Sequence, residues 1–122
     1  NDSLVYTLFP NLHPWGSYNR ITYRFRPYGN RHDMCIMECM ILSPFKGTRP
    51  KASPLKMLGV DDDWTDAYEL GLLTRVFNQD VYNLPKVQAG LESGAIQEVV
   101  FAQYQETKIR CIEDELERWV TR

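Results

Sequence analysis

Apolar and polar side chains alternate from Asn19 to Arg26. Ile21, Tyr23 and Phe25 point one way, and Thr22, Arg24 and Arg26 the other. A period of two predicts a half-buried strand. Pro27-Tyr28-Gly29-Asn30 supplies turn chemistry, and Asp33 to Leu42 reads as a second strand, so an antiparallel hairpin is expected. That second strand is apolar on both faces, with Met34, Ile36 and Met40 on one and Cys35, Met37, Cys39 and Ile41 on the other. Such a strand needs cover on both sides, which calls for a packed helix. Upstream, Leu4 to Phe9 reads as a further strand, followed by a turn-rich stretch from Pro10 to Gly16.

Residues 44 to 63 read as loop, punctuated by Pro44, Gly47, Pro50, Pro54 and Gly59 and ending in Asp61-Asp62-Asp63. Acidic residues favour the positive end of a helix, and Asp63 is placed to cap one. The helix expected here runs from Trp64 to about Leu91, with Leu73, Val76, Phe77, Leu84 and Val87 as its apolar stripe. Pro85 should kink or divide it near Asn83, and Gly90 and Gly94 end it. Val99 to Tyr104 reads as a short strand. A last amphipathic helix, Glu106 to Thr121, carries Ile109, Ile112, Leu116, Trp119 and Val120 on one side, with Glu106 and Arg110 spaced as a helical ion pair. The pattern is α+β: antiparallel strands, then a long helix laid over them.

Composition sets limits. The 122 residues suit one domain, and a net charge of −2 gives no basic footprint for nucleic acid or an anionic membrane. No apolar run approaches the roughly 20 residues that span a bilayer. Three cysteines fit a reducing compartment, with the cytoplasm as default. Cys35 and Cys39 lie about 13 Å apart on one strand, too far to share a metal, and with Cys111 they read as small core residues. The chain opens Asn1-Asp2-Ser3 with a strand close behind, so it is expected to be a piece of something longer.

Asp80 breaks the helical pattern. It follows Val76 by four residues and precedes Leu84 by four, which places a carboxylate in the apolar stripe. A buried carboxylate needs a compensating partner: a cation, hydrogen-bond donors or a metal. Arg75 faces elsewhere and Lys86 is not a helical neighbour, so the helix supplies no counter-charge; two structural alternatives remain, that the Pro85 kink turns Asp80 to the surface or that Arg24 or Arg26 of the sheet pairs with it.

The surrounding residues resemble a known family. Asn78-Gln79-Asp80 followed by Val87-Gln88-Ala89-Gly90-Leu91, then Tyr104-Gln105-Glu106, is similar to the signature of the catalytic domain of Rieske-type aromatic-ring-hydroxylating oxygenases, alpha subunit. Phe9-Pro10-Asn11 and Tyr23-Arg24-Phe25-Arg26-Pro27 through Gly29-Asn30 agree in order. The resemblance spans nearly the whole chain and marks residues 1–122 as the C-terminal portion of that domain. It implies a helix-grip fold, an antiparallel sheet wrapped on a long helix. It also implies that Asp80 is the carboxylate ligand of a mononuclear Fe(II), a two-histidine, one-carboxylate site with a face open to O2.

Leu73, Val76 and Phe77 would then line an apolar pocket for an aromatic or similar hydrophobic substrate, with Gln79 and Asn83 supporting the carboxylate. The resemblance further implies a Rieske [2Fe-2S] cluster, ferredoxin or reductase electron donors, and a homo- or hetero-oligomer. The motifs for the cluster and for the two histidine ligands are not in these residues. His13 reads as a structural residue beside Trp15, and His32 as a solvated turn residue. The isolated chain is therefore not expected to turn over. The rival reading is a metal-free helix-grip module that binds a hydrophobic ligand, with Asp80 paired to an arginine.

Overall fold

The computed structural model describes residues 4–16 and 20–122. They form two compact units, Asn1–Pro44 with Val99–Arg122, and Phe45–Glu98. Asn1 to Ser3, and Asn19 as the expected start of the strand that runs to Arg26, lie outside the described residues.

The first unit is built on a three-stranded antiparallel sheet in the order β1 (Leu12–Pro14), β2 (Ile21–Tyr28), β3 (Arg31–Ile41). The expected hairpin is β2–β3, and its register sets Ile21 opposite Ile41, Tyr23 opposite Cys39 and Phe25 opposite Met37. Its turn is tighter than expected, because Pro27 and Tyr28 stay in the strand and the register slips between them. Gly29 makes the reversal at φ 61°, a left-handed conformation open to glycine.

Two expected strands do not form in this unit. Leu4 to Phe9 makes only isolated bridges, Val5 to Trp15 and Leu8 to Leu12, while the supposed turn contributes β1. The Leu12 and Leu8 backbones bond to each other, which folds the segment onto itself instead of into a sheet. Val99 to Tyr104 is likewise not a strand, since no neighbouring backbone pairs with it. The final helix, α2 (Thr107–Val120), agrees with its periodicity. Glu106 and Arg110 do not pair: Glu106 accepts from the Ala102 N–H, and Arg110 donates to the Ala102 and Gln103 carbonyls. Together they fasten the start of α2 to the preceding turn.

In the second unit the predicted helix is split. Asp63 caps as expected, its side chain accepting from the Thr65 N–H at 2.7 Å, but what it caps is a single 3-10 turn, Trp64–Asp66. A second turn, Tyr68–Leu70, ends at Gly71 with φ 60° and ψ −135°, which no α-helix can pass through. The long helix, α1, therefore begins at Leu73 and runs to Glu92. Pro85 lies inside it without dividing it; its missing N–H leaves the Val81 carbonyl without its usual helical donor.

The class is α+β, as the sequence predicts. Among the described residues the buried side chains are Ile21 and Thr22 in the first unit and Ala67, Thr74 and Phe77 in the second. Cys35 and Cys111 are exposed, against the expectation of core positions, while Cys39 is half-buried. Burial pushes the Cys39 thiol up to about 11.

Candidate metal centre

α1 presents two distinct sides. Phe77 is 3% exposed and meets the Trp64 ring at 4.9 Å between centroids. Asn78, next in sequence, accepts from the Trp64 N–H at 2.9 Å and donates to Asp63 Oδ1 at 2.7 Å. Thr74 is buried and donates to the Gly71 carbonyl. This side is the contact between α1 and the 64–70 turns.

The other side carries Leu73, Val76, Asp80, Leu84, Val87 and Leu91, at spacings of three and four residues. With 3.6 residues per turn these positions stay within roughly 40° of Asp80, whereas Asn78 points roughly 160° away. The apolar stripe is thus a seam with one polar position, Asp80, near its middle. The seam is largely open. Val76 is 48% exposed and Leu84 and Val87 are each 57% exposed; Asp80 is exposed with them, and Leu73 is half-buried. Asp80 is in the stripe, as the periodicity predicts, but it is not buried.

Among the described residues Asp80 has no ion-pair or hydrogen-bond partner from its own helix or elsewhere. Lys86 lies over the Tyr82 ring, 3.1 Å from its centroid. Arg24 and Arg26, the structural alternative, are both held by Glu38 across the hairpin; Arg26 Nη2 is 2.7 Å from Glu38 Oε1. These contacts keep the Glu38 carboxyl at about 2, the Arg24 hydrogen bond contributing most and the Arg26 bond next. The pair was accessible from the hairpin register, which sets Arg24 opposite Glu38.

The expected supporting residues are placed less directly. Asn83 Nδ2 donates to the Gln79 backbone carbonyl at 3.4 Å, and Gln79 is exposed; neither side chain bonds to Asp80. Gln88, which lies two turns after Asp80, donates to Glu92. Phe77 sits with Trp64 in the core of its unit, while Leu73 and Val76 share the seam with Asp80. Asn78 is the residue that sequence reasoning left unassigned. Its signal was a polar side chain on the face occupied by Thr74 and Phe77, 15 residues from the capping Asp63.

The histidines are structural in their surroundings. His13 packs edge-on against Phe25 at 5.6 Å, and its Nδ1 is 3.3 Å from Thr7 Oγ1; Trp15 packs on Tyr23 rather than on His13. Burial, and after it the Lys108 charge, hold His13 below its ordinary range. His32 is exposed at the start of β3. Among the described residues no three His, Cys, Asp or Glu side chains gather into a metal site. No ligand set is assembled around Asp80 by the described residues.

The family model for the ring hydroxylating alpha subunit (catalytic domain) matches residues 1–122. The chain belongs to this family of ring-hydroxylating oxygenases, an oxidoreductase class. No curated protein and no solved structure matches it. No helix among the described residues is long and apolar enough to cross a membrane.

Proposed function

We propose that this chain is the C-terminal portion of an oxygenase catalytic domain and that Asp80 is the carboxylate ligand of its mononuclear Fe(II). The observation that carries the reading is the seam of α1: five apolar positions, four of them exposed and Leu73 half-buried, and one exposed carboxylate without a partner cation among the described residues. Covering such a face with protein alone would bury an unpaired charge, at a cost of several kcal/mol. A metal cation under the carboxylate and an apolar molecule beside it satisfy both parts.

Asp80, with two imidazoles from elsewhere in the full subunit, would hold an Fe(II), which would supply O2 activation when bound. The residues of this chain do the rest by position. Asp80 holds the metal on a rigid helix. Leu73 and Val76 form an apolar wall that excludes water and accepts an aromatic or similar hydrophobic substrate, and Phe77 backs that wall against Trp64. Asn78 fixes the roll of α1, so that the carboxylate and the wall face the same way. In this reading the two histidine ligands and a Rieske [2Fe-2S] cluster lie elsewhere in the full subunit. Ferredoxin or reductase proteins deliver electrons, the subunits assemble as an oligomer in the cytoplasm, and the isolated chain does not turn over.

The test is the anaerobic iron content of the full-length subunit, wild type beside Asp80→Ala. Loss of about one iron per chain, with the cluster's iron kept, supports the reading. Equal iron in the two proteins rejects it and leaves Asp80 a structural carboxylate, as a metal-free binding module would have.

A further inference from the structure

A helix cap ordinarily serves only its own turn, and Asp63 does more. Its Oδ1 accepts from the Thr65 N–H at 2.7 Å, from Thr65 Oγ1 at 2.6 Å and from Asn78 Nδ2 at 2.7 Å. The first two donors belong to the 64–66 turn and the third to α1. The Thr65 hydroxyl first and the Asn78 amide next hold the Asp63 carboxyl below its ordinary range, so it remains an acceptor. Asn78 answers with its other atom, Oδ1 accepting from the Trp64 N–H at 2.9 Å. Asp62, the neighbouring carboxylate, takes no part: it closes a turn onto the Gly59 N–H at 2.7 Å.

The remaining link between α1 and this turn is the meeting of the Phe77 and Trp64 rings, and apolar contact has little directional preference. A side-chain tip lies roughly 5–6 Å from a helix axis, so a roll of about 20° would carry the Asp80 carboxylate about 2 Å. A functional site tolerates a displacement of only about 0.5 Å. A directional contact must therefore hold the roll, and the Asp63–Asn78 bridge supplies one.

We propose that Asp63 is a positioning residue for Asp80. It acts through Asn78, fixing the roll of α1 from a point 17 residues before the carboxylate that it aims. The inference rests on the reading of Asp80 as the iron ligand, and its test separates the two.

Fe(II) affinity is measured anaerobically on the full-length subunit with its cluster retained, beside the near-infrared magnetic circular dichroism of the bound Fe(II). The proteins are wild type, Asp63→Ala, Asp62→Ala, Asn78→Asp, Asp80→Ala and the exchange Asp63→Asn/Asn78→Asp. Asp63→Ala should bind Fe(II) about tenfold more weakly and change the spectrum. Asp62→Ala removes the same charge from the next position and should do neither. Asn78→Asp sets two carboxylates against each other and should bind at least as weakly as Asp63→Ala. The exchange again faces a donor with an acceptor, in reversed roles, and should recover most of the affinity.

Wild-type affinity and spectrum in folded Asp63→Ala overturn the inference, as does an equal loss in Asp62→Ala. So does an exchange that recovers nothing, which decides the matter even where Asp63→Ala does not fold. Retained iron in Asp80→Ala rejects the underlying reading instead. The bridge is also read without iron, from urea denaturation of the iron-free subunit. There the pair Asp63→Ala and Asn78→Ala should lose less stability together than the two single changes summed. Strict additivity overturns the inference whatever Asp80 binds.

Discussion

Asn78 Oδ1 accepts the Trp64 backbone N–H at 2.9 Å while its Nδ2 donates to Asp63 Oδ1 at 2.7 Å. One amide thus satisfies the first free N–H of the 64–66 turn and steadies the residue that caps it. Because Asn78 points roughly 160° from Asp80 around the helix, this anchor aims the carboxylate away from the turn. The side chain earlier in the motif orients the one that follows.

Asn78→Ala should destabilise the protein by about 1–2 kcal/mol in urea denaturation, from two lost hydrogen bonds and a part-buried N–H left without its acceptor. Asn78→Asp separates the two contacts. It keeps an acceptor for Trp64 but sets a carboxylate against Asp63, so its destabilisation should shrink as salt is raised. A salt-independent loss equal to that of Asn78→Ala would show that the Asp63 contact is not where the energy lies.

Phe77 is expected to behave as core. Phe77→Ala should cost about 3–5 kcal/mol, because its ring fills the contact with Trp64 and little else can collapse into the space. Phe77→Leu should lower the denaturation midpoint clearly while leaving the KM for a hydrophobic substrate within a few-fold. A large KM change at unaltered stability would place Phe77 in the pocket instead.

The sequence made some elements legible and hid others for identifiable reasons. α2 and the β2–β3 hairpin follow from periodicity, because each has a face that contacts its own unit. β1 was hidden by composition: His13 and Pro14 read as turn residues, yet an edge strand tolerates a proline whose missing N–H is not needed. The start of α1 was hidden by Gly71, whose backbone angles no pattern of side chains reports. The stripe through Leu73, Val76 and Asp80 was read correctly as a stripe, but its burial was not, since periodicity says which residues share a face and not what covers that face. Phe77 was grouped with the seam although roughly 60° separates it from Asp80, enough to place it in a different contact.

Cysteine chemistry should separate the three thiols. Cys39 is held up at about 11 by burial, so at pH 8 only about one molecule in a thousand carries the reactive thiolate there. Iodoacetamide at pH 8 should therefore modify the exposed Cys35 and Cys111 well before Cys39 in the 122-residue chain, read by peptide mass spectrometry. Unfolding in urea should bring the three rates together. Fast labelling of Cys39 without denaturant would mean that the Tyr23–Cys39 part of the sheet opens readily.

Glu38 should make the hairpin sensitive to acid. Its carboxyl is held at about 2 against an ordinary 4.5, chiefly by the Arg24 hydrogen bond and next by Arg26. A carboxyl with a depressed folded value binds protons more weakly when folded than when unfolded. Its contribution to stability is therefore complete above the unfolded value of 4.5 and is lost as pH falls through about 2. Carboxyl-carbon NMR should give a Glu38 midpoint near about 2. Arg24→Ala should raise that midpoint more than Arg26→Ala does, following the order of their contributions. Glu38→Gln should flatten the dependence of stability on pH across this window, because the group that links protons to folding is gone. A wild-type midpoint near 4.5 would show that the two arginines do not hold Glu38 in solution, and would return them as candidate partners for Asp80.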